Sequence, residues 1–250
     1  LKYVGDSVTS PLSYYEVNVA GTTSLIGAMG KAGVKKLVFS SSATVYGEPN
    51  YLPIDEEHRA LPINPYGRTK YYIEEFLKDI AIADSEWSIV CLRYFNPAGS
   101  HESGLIGDEL TSKAENLFPM IGKVAIGKIP KLTVFGGYDT PDGTGIRDYI
   151  HVQDLAEGHT KALNFTYENC GFEVINLGRS HGYSVLEVIK CFEEVTSVGV
   201  PIQFADSRPG DVASSYADNC KAEKILGWRT TKDLTDMCDS MWTYIINSEV

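Results

Sequence analysis

The sequence predicts an α/β fold, with a doubly wound parallel sheet followed by a smaller mixed α/β lobe. Short apolar strand patterns alternate with longer amphipathic helix patterns over residues 11–99. Strands and helices that alternate at these lengths are typical of right-handed parallel crossovers. Two of the strand patterns break into hydroxyl-rich or Pro/Gly-rich segments at their carboxyl ends, where open α/β sheets present ligand sites. After residue 99 the alternation becomes irregular, which indicates a second lobe.

The first half of the chain begins with a predicted helix over residues 11–32, because Pro11 favours its first turn and Gly33 its end. The segment KKLVFSSSATVYG then contains a short apolar strand that ends in small hydroxyl residues. Residues 65–83 form a second predicted helix with an apolar stripe on one face. The stripe consists of Ile73, Phe76, Leu77 and Ile80. The segment SIVCLRYFNPAG, residues 88–99, is a further strand that ends in a Pro/Gly turn.

The second half begins with residues 100–146, which are rich in Gly, Asp and Thr, with a helix predicted near 115–127. FEVINLG, residues 172–178, is another strand. Ser184, with Glu187 three residues later, forms a capping box that opens a helix. The last 30 residues contain two more amphipathic helices.

The domain organisation follows from this order of elements. We expect residues 1–99 to be the remaining part of the sheet domain and residues 100–250 to be mainly the second lobe. Elements within about 147–178 are expected to return to the sheet.

Composition excludes several classes of protein. The chain has 250 residues, of which 43% are hydrophobic, so it can bury a sizeable core. No run approaches the length of a membrane span, and a net charge of −11 disfavours binding to nucleic acid or anionic membranes. The five cysteines are scattered without a CxxC, and the five histidines lack metal-ligand spacing. We therefore expect no disulfide framework, no metal site and a reducing, cytoplasmic location.

Tyr66 and Lys70 stand out within NPYGRTKYYIEEFLKD, because residues four apart share one face of a helix. A nearby ammonium group lowers the pKa of a phenol, and such a tyrosine can exchange a proton with a sugar hydroxyl. The alternative is that two ordinary residues share a helix face. Ser40, Ser41 and Ser42 end the preceding strand, so a hydroxyl there could bond both the substrate oxygen and the tyrosine. The alternative for them is a serine-rich turn.

The segments KKLVFSSSATVYGEPNYLPIDE and NPYGRTK resemble the extended short-chain dehydrogenase/reductase family. Within that family the chain is similar, essentially from end to end, to the UDP-sugar 4-epimerases. Further segments with this similarity are LRYFNPAGSH, VFGGYDTPDGTGIRDYIHVQDLA, VINLGRSHGYSVLE and RPGDVASSYAD. The resemblance implies a Rossmann-type NAD-binding sheet. It also implies an isomerase that interconverts UDP-galactose and UDP-glucose through a transient 4-keto sugar, with the hydride held on tightly bound NAD.

The resemblance also implies roles for individual residues. Tyr66 would be the catalytic acid/base, Lys70 its partner and a ligand of the nicotinamide ribose, and Ser42 the hydroxyl that orients the substrate. The residues implied to bind the cofactor are Lys2, Tyr66, Lys70 and Tyr94. Those implied to surround the UDP-sugar are Ser42, Ala43, Thr44, Tyr94, Phe95, Asn96, Asn116, Leu117, Thr133, Val134, Phe135, Arg147, Arg208, Pro209, Gly210, Asp211 and Ser215.

Arg147 and Arg208 fit a pyrophosphate, because guanidinium groups match its two negative charges. From spacing alone each could equally form a surface salt bridge. The resemblance places both on the UDP diphosphate and Asp211 on the ribose hydroxyls. Ser215 stands where relatives have either a bulky tyrosine or a small residue. The small residue predicts that UDP-N-acetylgalactosamine and UDP-N-acetylglucosamine are also interconverted.

The reaction type depends on Ser42, Ala43 and Thr44. Dehydratase relatives have acidic residues in the middle of this segment, and this chain has none there. Without that acid or base, we expect the oxidised sugar only to be reduced again. Two alternatives remain open, because function depends on the site and not on the fold. One is a different NAD-dependent nucleotide-sugar epimerase or oxidoreductase, and the other is a catalytically silent binder.

The glycine-rich dinucleotide fingerprint does not follow any strand of this sequence. Relatives would place it, with the first strands of the sheet, in roughly 90 residues before Leu1. We therefore expect this chain alone to lack the adenine half of the cofactor site, to fold poorly and to be inactive. The resemblance also implies a homodimer, formed by helices 11–32 and 65–83 as a four-helix bundle.

Overall fold

A computed structural model gives the structure of residues 1–110, 116–207 and 211–249. The α-helices are α1 (Val4–Thr9), α2 (Pro11–Tyr14), α3 (Gly21–Lys31), α4 (Pro65–Ala83), α5 (Leu117–Ala125), α6 (Val152–Glu168), α7 (Val185–Thr196), α8 (Cys220–Leu226) and α9 (Leu234–Glu249). The strands are β1 (Lys36–Ser40), β2 (Ser88–Tyr94), β3 (Asn96–Ala98), β4 (Leu132–Phe135), β5 (Ile146–Arg147), β6 (Tyr149–His151), β7 (Gly171–Leu177), β8 (Tyr183–Ser184), β9 (Ile202–Ala205) and β10 (Ser214–Ser215).

Helix α4 has the bounds that the sequence predicted, because local signals define its start. The side chain of Asn64 accepts a hydrogen bond from the Gly67 N–H at 2.8 Å, and Pro65 occupies the first turn without needing a donor. Ile73 and Leu77 of the predicted stripe are buried at 1% and 0% exposure. The stripe therefore packs into the core.

The predicted helix over residues 11–32 differs from the structure in detail. Helical turns continue through it, but a π-helical segment at Tyr15–Ala20 separates α2 from α3. The short helix α1 was not predicted, since its six residues, VGDSVT, include only two apolar residues, which is too few to establish a periodic pattern. Elsewhere the predicted helix near 115–127 is α5, and the two predicted C-terminal helices are α8 and α9.

The chain divides into two units, and the first contains residues 1–95, 157–177 and 218–228. Its sheet is parallel, with the strand order β1-β2-β7. Ile89 and Cys91 of β2 pack in one cluster with Ile73 and Leu77 of α4. On β7, the side chain of Leu177 lies against Gly158 of α6.

Pairing between β2 and β7 shows which helices cover which face of this sheet. Ile89 pairs with Phe172, whereas Tyr94 pairs with Leu177. Phe172 packs with the α4 cluster, and side chains five positions apart on a strand point to opposite faces. Leu177 and α6 therefore lie on the face opposite α4. Helices cover both faces, which confirms the predicted doubly wound parallel sheet.

The second unit contains residues 96–156, 178–217 and 229–250. Its strands form three small sheets with the orders β10-β5-β8, β3-β6 and β4-β9. Its core is formed by α5, α7 and α9, with Ile121, Phe192 and Met237 fully buried. The predicted capping box at Ser184 and Glu187 is present at the start of α7. The predicted strand over 88–99 is two strands, since β2 ends at Tyr94 and β3 belongs to the second unit.

None of the helices in residues 1–110, 116–207 and 211–249 combines the length and apolarity needed to cross a membrane. In the same part of the chain, three or more His, Cys, Asp or Glu side chains nowhere converge as metal ligands. The assignment of residues 1–99 to a cofactor domain and of residues 100–250 to a UDP-sugar lobe stays a prediction.

Candidate active site

The carboxyl end of β1 leads into a hydroxyl-rich turn. Strand β1 ends at Ser40, and Ser42 caps a short 3-10 turn at Ala43–Val45 by accepting from the Thr44 N–H at 3.2 Å. The Ser42 and Thr44 hydroxyl oxygens are 2.8 Å apart. The turn thus presents two hydroxyls together at the end of a parallel strand, where the sequence predicted them.

Tyr66 and Lys70 lie on the first two turns of α4, and the Lys70 Nζ is 5.8 Å from the centre of the Tyr66 ring. The Lys70 ammonium donates a hydrogen bond of 2.8 Å to the Ser40 carbonyl. Gly67 allows α4 to pack closely against the turn, because a Cβ there would lie 2.8 Å from the Thr44 carbonyl oxygen. The structure therefore brings the predicted catalytic residues Ser42, Tyr66 and Lys70 together.

Burial determines the pKa values of this pair. Burial raises the pKa of Tyr66 to about 12, although a hydrogen bond with the Ser42 side chain opposes the rise. Burial also lowers the pKa of Lys70 to about 8, and the negative charge of Glu74 opposes this fall. The predicted lowering of the Tyr66 pKa is therefore wrong for the protein alone. Desolvation of the phenolate outweighs the attraction of one ammonium group.

The remaining predicted residues of the first unit differ in accessibility. The Tyr94 ring lies 5.9 Å from the His159 ring and is half-buried. Phe95 is 6% exposed, so its side chain belongs to the core. Lys2 is exposed, with its Nζ 5.5 Å from the centre of the Tyr3 ring.

Sequence reasoning missed a buried polar network beneath this turn. Arg93 of β2 donates to both carboxylate oxygens of Glu74 on α4, from Nε at 3.0 and 3.2 Å and from Nη2 at 2.5 Å. The Ser41 hydroxyl donates to the Glu74 Oε1 at 2.5 Å. One signal was available, because an arginine inside the apolar strand SIVCLRYF requires a buried partner.

In the second unit, Arg147 of β5 meets Asp211. The Arg147 Nη2 lies 2.8 Å from the Asp211 Oδ1, and the Tyr138 hydroxyl donates to the other carboxylate oxygen at 3.1 Å. The sequence predicted both Arg147 and Asp211 as nucleotide ligands, and the structure pairs them with each other. Arg208, Pro209 and Gly210, predicted beside them, lie outside the described residues.

Asp148 joins the strands that hold two predicted residues, and the sequence analysis did not identify it. Its buried carboxylate accepts backbone hydrogen bonds from Arg179 at 2.6 Å and from Ser180 and Ala217 at 3.1 Å. Its own N–H donates to the Ser215 carbonyl at 3.0 Å, and Ser215 pairs with Arg147 in the β10–β5 ladder. Arg147 and Ser215 are thus held side by side.

The other predicted substrate residues of the second unit are more dispersed. Asn96 is exposed and donates its N–H to the Asp148 carbonyl at 2.9 Å. Asn116 is exposed immediately before Leu117, the first residue of α5. The remaining residues lie on β4. Thr133 accepts from the Gln203 side chain at 3.1 Å, Val134 is 1% exposed, and Phe135 is half-buried. The side chain of Val134 is therefore a core residue and cannot face a ligand.

The donor set at Lys70 fits the nicotinamide end of NAD. An ammonium group has three N–H donors, and within the described residues the Ser40 carbonyl is its one hydrogen-bond acceptor. Two donors therefore remain for ribose hydroxyls next to the Tyr66 phenol. Tyr94 and Lys2 are further residues that could hold the cofactor, Tyr94 beside the nicotinamide and Lys2 near the phosphates.

The chain is similar to known proteins over almost its whole length. The family model described as GDP-mannose 4,6 dehydratase matches residues 1–241. The UDP-glucose 4-epimerase of Bacillus subtilis (strain 168) is 52% identical over 245 residues, which is 98% of this chain and 72% of that protein. The chain belongs to the UDP-glucose 4-epimerase family.

Solved structures of UDP-glucose 4-epimerases have the same fold. The Stenotrophomonas maltophila enzyme, with bound NAD and formylated UDP-arabinopyranose, has a TM-score of 0.97 and 46% identity over 100% of this chain and 74% of that chain. The Bifidobacterium longum enzyme, in complex with NAD+ and UDP, has a TM-score of 0.95 and 48% identity over 100% of this chain and 75% of that chain. The UDP-glucose 4-epimerase family and the Rossmann-type fold, both expected from motifs, are confirmed.

The buried Asp148 generates a prediction about pH and stability. Burial raises its pKa to about 7, above the usual carboxyl value of 3.8. The folded state therefore binds a proton more tightly than the unfolded state. Stability from this group is complete below the unfolded pKa and is lost as the pH rises through about 7. We expect the wild type to lose about 3 kcal/mol more than Asp148→Asn between pH 5 and pH 8.

Urea unfolding at both pH values measures this difference. The comparison uses the change with pH within each protein, because Asp148→Asn also alters hydrogen bonds at every pH. An equal change in the two proteins would show that Asp148 does not take up the proton.

Proposed function

We propose that the NAD-loaded protein that contains this chain interconverts UDP-galactose and UDP-glucose by epimerisation at C4, using tightly bound NAD. The observation that supports this most directly is the contact of Ser42, Tyr66 and Lys70 at the carboxyl end of β1. Parallel α/β sheets place their ligands at this end. The family membership supports a UDP-sugar as the substrate. When bound, NAD supplies a positively charged ring that accepts the C4 hydride and returns it to the opposite face of the sugar.

Tyr66 is the residue that moves the proton in this proposal. Its phenol oxygen takes the proton from the C4 hydroxyl as the sugar is oxidised, and returns it to O4 as the 4-keto sugar is reduced. The pKa of about 12 in the protein alone is too high for this task near neutral pH. Positive charge beside the phenol is therefore essential. Lys70 supplies part of it, and Ser42 orients O4.

The residues at this turn favour epimerisation over dehydration, because none of them is a carboxylate. A dehydratase needs an additional acid or base at the sugar, and Ser42, Ala43 and Thr44 provide none. The buried carboxylate behind the turn is Glu74, whose oxygens accept hydrogen bonds from Ser41 and Arg93. Glu74 already has hydrogen-bond partners in the protein interior and is not available to the sugar. The match to a family model named after a dehydratase therefore does not imply dehydration here.

The substrate diphosphate is proposed to bind Arg147, together with Arg208. In the protein alone, Arg147 is paired with Asp211 at 2.8 Å. A diphosphate can take over the guanidinium, and this would release the Asp211 carboxylate for ribose hydroxyls. Strong contacts to UDP and small residues around the hexose suit a reaction in which the 4-keto sugar must turn over.

The test uses the NAD-loaded enzyme and UDP-galactose with deuterium at C4, with the products analysed by NMR. We expect UDP-glucose that retains deuterium at C4. Tyr66→Phe should reduce the rate about 10²- to 10⁴-fold, because it removes the group that transfers the proton. Tyr167→Phe is the control, since Tyr167 is an exposed tyrosine of α6, outside the proposed catalytic residues and the proposed dimer interface.

Other outcomes would select the alternatives. Loss of water from the sugar would indicate a dehydratase, and turnover of only a different sugar nucleotide would indicate a related epimerase or oxidoreductase. UDP-galactose binding without any turnover would indicate a silent binder.

We further propose that UDP-N-acetylgalactosamine and UDP-N-acetylglucosamine are substrates. Ser215 is a small, half-buried residue, and it lies beside Arg147 in the β10–β5 ladder. The small serine side chain leaves space beside Arg147, the residue proposed to bind the diphosphate, and an acetamido group could occupy this space.

A larger side chain at position 215 should reduce turnover of the acetylated sugar and leave turnover of UDP-galactose nearly unchanged. Ser215→Tyr should reduce kcat/KM for UDP-N-acetylgalactosamine more than about tenfold, because steric overlap with the acetamido group costs more than about 1.4 kcal/mol. Turnover of UDP-galactose should change less than about threefold. Ser215→Ala keeps the small volume and serves as control. A wild type that does not turn over the acetylated sugar would contradict the proposal.

The proposal includes a homodimer in a reducing, cytoplasmic environment. Large apolar side chains are exposed on the helical segment 11–31 and on α4. They include Leu12 at 69%, Val17 at 54%, Leu25 at 55% and Tyr72 at 48%. Tyr15 and Tyr72 connect the two elements, with ring centres 6.2 Å apart. A second copy of the same face would cover these side chains. The five free thiols are compatible with a reducing compartment.

Sedimentation velocity tests the dimer. Val17→Asp should convert a dimer to a monomer, because it buries a charge at the proposed interface. Leu163→Asp, at a 42% exposed position of α6, is the control and should remain dimeric. A monomeric wild type would contradict the proposed interface.

A further inference from the structure

The Glu74–Arg93 ion pair lies directly behind the proposed catalytic residues. The Arg93 and Glu74 side chains are 8% and 2% exposed, and three hydrogen bonds of 2.5 to 3.2 Å join them. Arg93 belongs to β2 and Glu74 to α4, so the pair connects the sheet to the helix. Its place in the fold alone would explain it as a structural interaction.

A third contact of Glu74 indicates more than a structural role. The fully buried Ser41 hydroxyl donates to the Glu74 Oε1 at 2.5 Å. Ser41 stands between Ser40, whose carbonyl accepts a hydrogen bond from Lys70, and Ser42, whose side chain interacts with the Tyr66 phenol. A bond at Ser41 therefore restrains the backbone on both sides of it.

The spacing on α4 points to the same conclusion. Tyr66, Lys70 and Glu74 follow one another at intervals of four residues, so they lie along one face of the helix. Each contacts one of three consecutive residues at the end of β1. The Tyr66 phenol interacts with the Ser42 side chain, Lys70 donates to the Ser40 carbonyl, and Glu74 accepts from the Ser41 hydroxyl. Three residues of one helix face therefore each contact a different residue at the end of β1.

We propose that Glu74, held by Arg93, is a positioning residue for the reaction, and that Ser41 transmits this constraint to the strand end that orients Ser42 and Lys70. The inference rests on the proposed function. Glu74 and Ser41 do not contact the substrate in this role. They hold the Ser42 hydroxyl and the Lys70 ammonium at the Tyr66 phenol, where small displacements reduce the rate strongly.

Glu74 also affects the charge of Lys70. The groups that face Lys70 are the Tyr66 phenol and Glu74 carboxylate on α4, the Cys91 thiol on β2, and the Leu1 amino group. Burial lowers the pKa of Lys70 to about 8, and the Glu74 charge opposes this fall. Without that negative charge, and with Arg93 still present, Lys70 would lose its proton at a lower pH.

The first test is Ser41→Ala, which removes the link but leaves the ion pair intact. We expect kcat for UDP-galactose to fall about tenfold while KM changes less than about twofold, because geometry is lost and not binding. The melting temperature should match that of Thr166→Val. This control removes another fully buried hydroxyl of the first unit, one that donates to the Leu163 carbonyl at 2.7 Å.

The second test is Glu74→Gln, which keeps the shape and removes the charge. We expect the alkaline limb of the kcat–pH profile to move to lower pH by about one unit, since the protonated Lys70 is lost earlier. A purely structural role would lower the melting temperature without moving this limb. If Glu74→Gln does not fold, Ser41→Ala decides the question alone.

The outcomes separate this inference from the proposed function. A wild type that does not epimerise UDP-galactose would overturn both. An active wild type whose kcat is the same in Ser41→Ala and Thr166→Val would overturn only the positioning role. So would a Ser41→Ala variant that loses kcat only in proportion to a fall in melting temperature.

Discussion

The ion pair between Glu74 and Arg93 is the interaction on which the first unit most depends. A charged pair at 2% and 8% exposure is stable only when both partners are present and hydrogen-bonded. Loss of one partner typically costs about 3–5 kcal/mol, because the other charge remains buried. The pair also restricts where α4 lies on the parallel sheet, since apolar side chains alone tolerate small shifts. The turn that presents Ser42 lies at this restricted junction.

Burial at that junction has opposite effects on the two groups proposed to catalyse the reaction. It keeps the proton on Tyr66, whose pKa rises to about 12, and it weakens the hold of Lys70 on its proton. Both neutral forms are favoured when charge leaves water. In the proposed reaction, the positively charged nicotinamide ring of NAD would favour the ionised phenol and so make proton transfer easier.

In the second unit the two charged side chains proposed to bind the nucleotide are paired with each other and are not neutralised by burial. Arg147 and Asp211 neutralise each other at 2.8 Å, and Asp148 holds the neighbouring strands through three backbone donors. Because the net charge is −11, the proposed diphosphate site needs local positive charge. Arg147 would supply that charge from a partly exposed ion pair with Asp211. The attraction in such a pair is modest, so a ligand could replace Asp211 as the partner of Arg147.

Local sequence signals determined helix α4, the strands β1, β2 and β7, and the candidate catalytic pair. Asn64, Pro65 and an apolar stripe were sufficient for α4, and the spacing of Tyr66 and Lys70 placed them on one helix face, because capping and periodicity act over a few residues. Tertiary structure decided what those residues experience. The pKa of Tyr66, the burial of Val134 and the partners of Glu74 and Arg147 depend on desolvation and on contacts between residues distant in the chain. No local pattern contains that information.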